Sequence, residues 1–161
     1  MLKIRLLLVA AMILGLSAAT LRAAQPPAGQ AAANLDVLVD AIRSNRKALV
    51  AVNLKLTDEE ATKFWPIYDR YQQEINTVGD RLVGVIQDYT ANFSNLSDDK
   101  AAKLVDDYLT IEADRVKVKR AYVDEFSKAL PGRKVARFYQ IENKMDAVIR
   151  YDLAATIPVV E

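Results

Sequence analysis

The chain contains no cysteine and no histidine. The missing thiols exclude disulfides, so the fold has to rest on packed side chains alone. Without either residue, a thiol nucleophile or an imidazole base is impossible, and the soft and borderline ligands that transition metals favour are gone. Strand signals are missing too, because no segment sustains apolar–polar alternation between turn dipeptides. No charge sign dominates: 22 basic residues face 21 acidic ones. Such a near-neutral balance argues against a nucleic-acid binder.

What is present begins with a leader-like N-terminus. Lys3 and Arg5 precede a short apolar core, Leu6 to Leu16, and small residues follow it, which is the pattern of a secretory signal peptide. The core is well short of the roughly 20 residues a spanning helix needs. Ser17-Ala18-Ala19 suits cleavage, and a later cut before Gln25 is also compatible, so residues 1–24 read as the signal peptide with the cut between 19 and 25. Loss of Lys3, Arg5 and Arg22 with it tips the charge balance slightly acidic. Residues 25–33, rich in Ala, Gln, Pro and Gly, read as a flexible linker, and 34–161 as a single all-helical domain.

Hydrophobic periodicity divides that domain into helices. Asn34 suits the cap of a first helix reaching about Val52, with Leu35, Leu38, Ile42 and Leu49 as its apolar stripe and Arg43, Arg46 and Lys47 on the solvated side. A second helix opens at Leu56-Thr57-Asp58-Glu59-Glu60. Thr57 and Glu60 stand at capping-box spacing, and the acidic first turn complements the helix dipole. Ala61, Phe64, Tyr68, Tyr71, Ile75, Val78, Leu82, Val85 and Tyr89 then alternate at spacings of three and four, the mark of a long helix lying against other helices. Pro66 is expected to kink it, and Gly79 and Gly84 to weaken it while permitting close helix approach.

A polar turn at Asn92–Asn95 leads to a third start, where Ser97 caps a helix expected to run unbroken to Leu130. Its first stripe is Ala101, Leu104, Tyr108, Ile111, Val118, Tyr122 and Ala129, with Arg115 and Glu125 at two seam positions. A second is Val105, Leu109, Val116, Val123, Phe126 and Leu130, and two apolar faces imply two sets of neighbours. At about 1.5 Å per residue the second and third helices would each reach on the order of 50 Å and form an antiparallel hairpin. Pro131 is placed at the first position of a fourth helix, whose stripe is Val135, Phe138, Ile141, Met145, Val148, Ile149 and Leu153. Pro158 ends it, and Ile157, Val159 and Val160 are expected to fold back onto the bundle.

Leu56-Thr57-x-x-Glu60, Leu96-Ser97-x-x-Lys100 and Leu130-Pro131-Gly132-Arg133-Lys134 together resemble the periplasmic Spy/CpxP-like family, known for Leu-Thr-x-x-Gln motifs. The Gln position holds Glu60, Lys100 and Lys134 here. The resemblance implies a cradle-like homodimer of bent hairpins in the periplasm, acting on unfolded or envelope proteins as an ATP-independent stress chaperone or on the periplasmic domain of a sensor kinase. Some relatives sense or bind metals through His, Met or Cys. With no His or Cys, and only Met145 beyond the leader, this chain lacks that ligand chemistry.

Protein binding is thus the expected activity, with no catalytic residue, metal, cofactor, nucleotide or nucleic acid. The candidate surface is the basic run, from which Arg115, Lys119, Arg120, Arg133, Lys134 and Arg137 are singled out, with Trp65 as an interfacial aromatic off the main seam. The same run also reads as a solvated face paired with acidic helices. Paired carboxylates such as Asp98-Asp99 and Asp106-Asp107 diverge by about 100° on a helix, which suits solvated or capping roles better than shared acid–base work. A carboxylate-only, hard-ion sensor or buffer and a structural subunit of an envelope assembly are the alternatives.

Overall fold

The computed structural model describes Val37 and residues 44–160. The leader, the linker and the start of the first helix, with Asn34, Leu35, Leu38, Ile42 and Arg43, lie outside them. The described chain is all helical: α1 (44–54), α2 (Asp58–Asn92), a 3-10 turn (Phe93–Asn95), α3 (Asp98–Ala121), α4 (Val123–Ala129) and α5 (Gly132–Thr156). Its long hairpin of α2 and α3 is braced by the other helices, as the periodicity predicts.

Ion pairs and hydrogen bonds give the register. Along α2 and its partner, Arg70 meets Glu125, Glu74 meets Tyr122, Arg81 meets Asp114 and Asp88 meets Lys100, so the two run antiparallel. Along α2 and α5, Glu60 meets Lys134, Tyr71 meets Glu142 and Tyr89 meets Pro158, so these run parallel. Asn53 meets Arg137 while Arg46 meets Asp146, which sets α1 antiparallel to α5. The result is an up-down-up-down bundle in which α3 and α4 together form one leg.

The helix starts behave as their residues dictate. Thr57 Oγ1 accepts from the Glu60 amide at 3.3 Å and Glu60 Oε2 accepts from the Thr57 amide at 2.8 Å, a complete capping box. The charged residues standing where the family motif has Gln have their own explanation. Lys134 pairs with Glu60 and donates to the Lys55 carbonyl at 3.1 Å, tying the start of α5 to the start of α2. Lys100 pairs with Asp88 across the hairpin turn. The Glu60 carboxyl accordingly lies below its usual range, through Lys134 first and the Thr57 amide second.

The core is aromatic and sits at the lower half of the hairpin. Phe64, Tyr68 and Tyr71 of α2 meet Phe126 of α4 and Phe138 of α5, with the Phe126 and Phe138 ring centroids 4.5 Å apart. Val50 and Leu54 of α1 close it. To reach this cluster the third helix does what its periodicity did not foretell: it breaks at Tyr122, which takes φ −90° and ψ −5°. The leg re-aims there, so Phe126 and Leu130 enter the core beside Tyr122 although they were assigned to a second face. α3 is therefore 24 residues long, about 36 Å, not about 50 Å. The break leaves carbonyls without helical partners, and the Tyr139 hydroxyl donates to the Lys119 carbonyl at 2.7 Å.

Other expectations change in detail. α1 ends at residue 54, with Lys55 in the left-handed region at φ 53°. Leu49 and Val148 are exposed, Val159 and Val160 point to solvent while Ile157 is half-buried, and Pro131 is the cap of α5 with Gly132 its first residue. Gly84 needs no close approach, since an added Cβ would meet nothing within 4 Å. Gly84→Ala is therefore expected to stabilise the protein by about 0.5–1 kcal/mol, read as a raised urea midpoint at constant slope.

Candidate functional site

Arg46 was expected on a solvated face. It is instead buried, because its register with Val50 and Leu54 carries it into the bundle. Its Nε donates to Glu142 Oε1 at 3.2 Å and its Nη2 donates to Asp146 Oδ1 at 2.5 Å. Glu142 is fully buried and also accepts from the Tyr71 hydroxyl at 3.1 Å. Asp146 pairs as well with Lys119 from α3. Four helices thus meet at one buried ionic cluster in which two cations answer two carboxylates.

Burial works against every charge in it. It pushes the Glu142 carboxyl above its usual range, which Arg46 and Tyr71 offset only in part. At Asp146 burial pushes up as well, but Arg46 and Lys119 outweigh it and hold the carboxyl below its usual range. Burial alone would lower the Arg46 guanidinium, yet the two carboxylates raise it further. The Tyr139 hydroxyl is pushed up to about 12 by burial and then by Glu142. Asp146 ties stability to pH. Its folded value lies below the unfolded 3.8, so its contribution is present above 3.8 and disappears as pH falls through the folded value. The stability difference between the native chain and Asp146→Asn is therefore expected to be full near neutrality and to shrink below about pH 4, in denaturant titrations run at stepped pH.

The signal for this cluster was available in the spacing. Glu142 follows Phe138 by four and precedes Met145 by three, so it occupies a seam position of α5, and Arg46, Val50 and Leu54 follow one another by four. The stripes expected for these helices ran instead through Leu49 on α1 and Ile141 on α5, one residue to the side of each seam.

The residues singled out as a binding surface lie apart. Lys119 belongs to the ionic cluster, Lys134 is held by Glu60, and Arg137 Nε donates to the Asn53 carbonyl at 2.8 Å. Arg120 and Arg133 are exposed, with no side-chain hydrogen bond or ion pair among the described residues. Trp65 is half-buried at the edge of the core, edge-on to Phe64 and Tyr68, with Lys47 Nζ 5.3 Å from its ring. Thr57 and Ser97 are spent on capping, while Leu56 packs against the core and Leu96 is half-buried.

Arg115 opens onto a different feature. Toward the hairpin tip, α2, α3 and α5 enclose a groove of about 270 Å³, with Leu82, Val85, Ile86, Tyr108, Ile149 and Leu153 among its apolar lining. Glu112, Arg115, Asp146 and Arg150 supply its polar atoms. Beside it on α3, Val105, Leu109 and Val116 are 58%, 58% and 62% exposed, the part of the second stripe that no helix covers among the described residues. At 100° per residue they fall within about 40° of one another.

Among the described residues no group of three or more carboxylates is placed to hold a metal ion, and no helix is long and apolar enough to cross a membrane. Comparison of the chain with protein-family models, with curated proteins and with solved structures finds no match.

Proposed function

We propose that this chain is a non-enzymatic binding protein, exported to the periplasm, that shields apolar segments of partly unfolded proteins without nucleotide. The observation that carries this reading is the exposed stripe Val105, Leu109 and Val116. Three large aliphatic side chains aligned on one helix face and left in water form an apolar patch of the kind that marks interaction sites. The cations Lys117 and Arg120 on the same helix are exposed, which favours encounter with acidic partners. A homodimer belongs to the same proposal, with the stripe shared between copies until a client displaces it.

The test is light scattering from a reducible model client with and without the purified protein. Suppression at near-stoichiometric ratios supports the reading, and no effect at excess removes it. Changing Val105, Leu109 and Val116 together to serine should abolish most of the suppression while leaving the helical circular-dichroism signal of the parent, since all three are exposed in the single chain.

A further inference from the structure

We propose that the groove between α2, α3 and α5 is a binding site for an aliphatic monocarboxylate, its chain along the apolar walls and its carboxylate on Arg115. This goes beyond the client-binding reading, because it assigns a small ligand to a different surface.

The first observation is an unsatisfied guanidinium. Arg115 is only 14% exposed in its side chain, yet makes no hydrogen bond among the described residues. Its Nε is fully buried without a hydrogen-bond partner. Its one opposite charge among the described residues is Glu112, whose Oε1, likewise without a hydrogen bond, lies 3.5 Å from that Nε. A guanidinium carries five donors in a fixed fork, and buried donors are almost always answered. Arg115 lines the groove, and the donors of its two Nη atoms, unlike the buried Nε that faces Glu112, make no bond among the described residues and are the ones open to an acceptor.

The second observation is charge. The groove's polar end holds Arg115 and Arg150 against Glu112, and the other Glu112 oxygen is already taken by Arg150. Asp146 also reaches the groove, but Arg46 and Lys119 answer it. One positive charge is left over at the inner end of an otherwise apolar slot. An anionic group on a hydrocarbon chain complements both, and a planar carboxylate matches the guanidinium fork bidentately. Pockets of this kind, mostly apolar with few placed polar groups, are the usual form of small-molecule sites.

The chemistry makes two demands that a merely sticky surface does not. Each added methylene should tighten binding about fourfold until the groove is full. Removing the charge from either the ligand or Arg115 should cost at least tenfold.

The experiment is calorimetric titration of the full chain, freed of its leader, with octanoate, decanoate and decanol below their aggregation limits. Saturable binding of one decanoate per chain, tighter than octanoate and at least tenfold tighter than decanol, is the expected result. Arg115→Gln should bring decanoate down to the level of decanol. Ala154→Phe, which adds a ring at the exposed groove wall, should block both ligands, with circular dichroism reporting an intact fold for either variant. Equal binding of decanoate and decanol, unsaturable uptake, or unchanged decanoate affinity in Arg115→Gln overturns the proposal. So does the absence of decanoate binding, the result expected if a second copy or the chain's own residues 25–43 fill the groove. Client suppression by Ala154→Phe should remain at the parent level, which separates this site from the α3 stripe.

Discussion

Replacement of Asp146 by alanine is expected to lower the unfolding free energy by about 3–5 kcal/mol, measured from urea titration at neutral pH. The loss is large because the partners stay behind. Arg46, 6% exposed, would keep only Glu142, and Lys119 would lose its counter-ion. An uncompensated buried charge costs far more than the pair contributes over an apolar pair of the same shape. A companion variant separates the two quantities. Arg46→Met with Glu142→Leu, Asp146→Leu and Tyr71→Phe removes the cluster's charges on α1 and α5 together with the buried hydroxyl that Glu142 accepts from, and similar replacements elsewhere leave stability unchanged or raise it by about 1–4 kcal/mol. Lys119 is already a quarter exposed and can turn to solvent in that variant. If Asp146→Ala costs less than about 1 kcal/mol, the cluster is wet and weak, and its description as a buried network fails.

Phe126→Ala is expected to cost a comparable amount, about 3–5 kcal/mol, for a different reason. Phe126 is fully buried and its ring touches Phe64, Tyr71, Tyr122, Phe138 and Tyr139. Truncation would open a cavity lined by stiff rings that cannot collapse into it, so the transfer and cavity losses add. The same cut at the half-buried Tyr139 should cost clearly less. The contrast also tests the break at Tyr122. On an unbroken third helix Phe126 would lie on the outer stripe with Val105 and Leu109, and its truncation would change stability by no more than about 0.5 kcal/mol.

Much of the bundle was legible because local physics decides it. The capping box at Thr57, the cap at Ser97 and the stripe from Phe64 through Val78 each follow from residues within one or two turns of each other. The break at Tyr122 was not legible in this way. Nothing local forbids a helix there, with neither Pro nor Gly between Gly84 and Pro131, and the break answers to a core cluster to which α1, α2 and α5 all contribute. Arg46 was misplaced on similar grounds. An arginine beside a lysine reads as solvated until two carboxylates nearly a hundred residues later turn out to lie in its path. The groove at Arg115 was half legible. The seam position was visible, but its shortage of partners was not, because a partner is defined by three-dimensional distance.

The amino-acid sequence by itself determined an all-helical chain without disulfides, thiol or imidazole chemistry, along with where α2 and α3 begin. Those properties depend on composition and on neighbours three and four residues apart. Only the tertiary structure decided which charges are buried, where the third leg breaks, and which apolar stripe is left in water. Each of those depends on what a distant segment places opposite, and at Arg46 and Phe126 the cost of an unanswered charge or an unfilled space outweighs local preference.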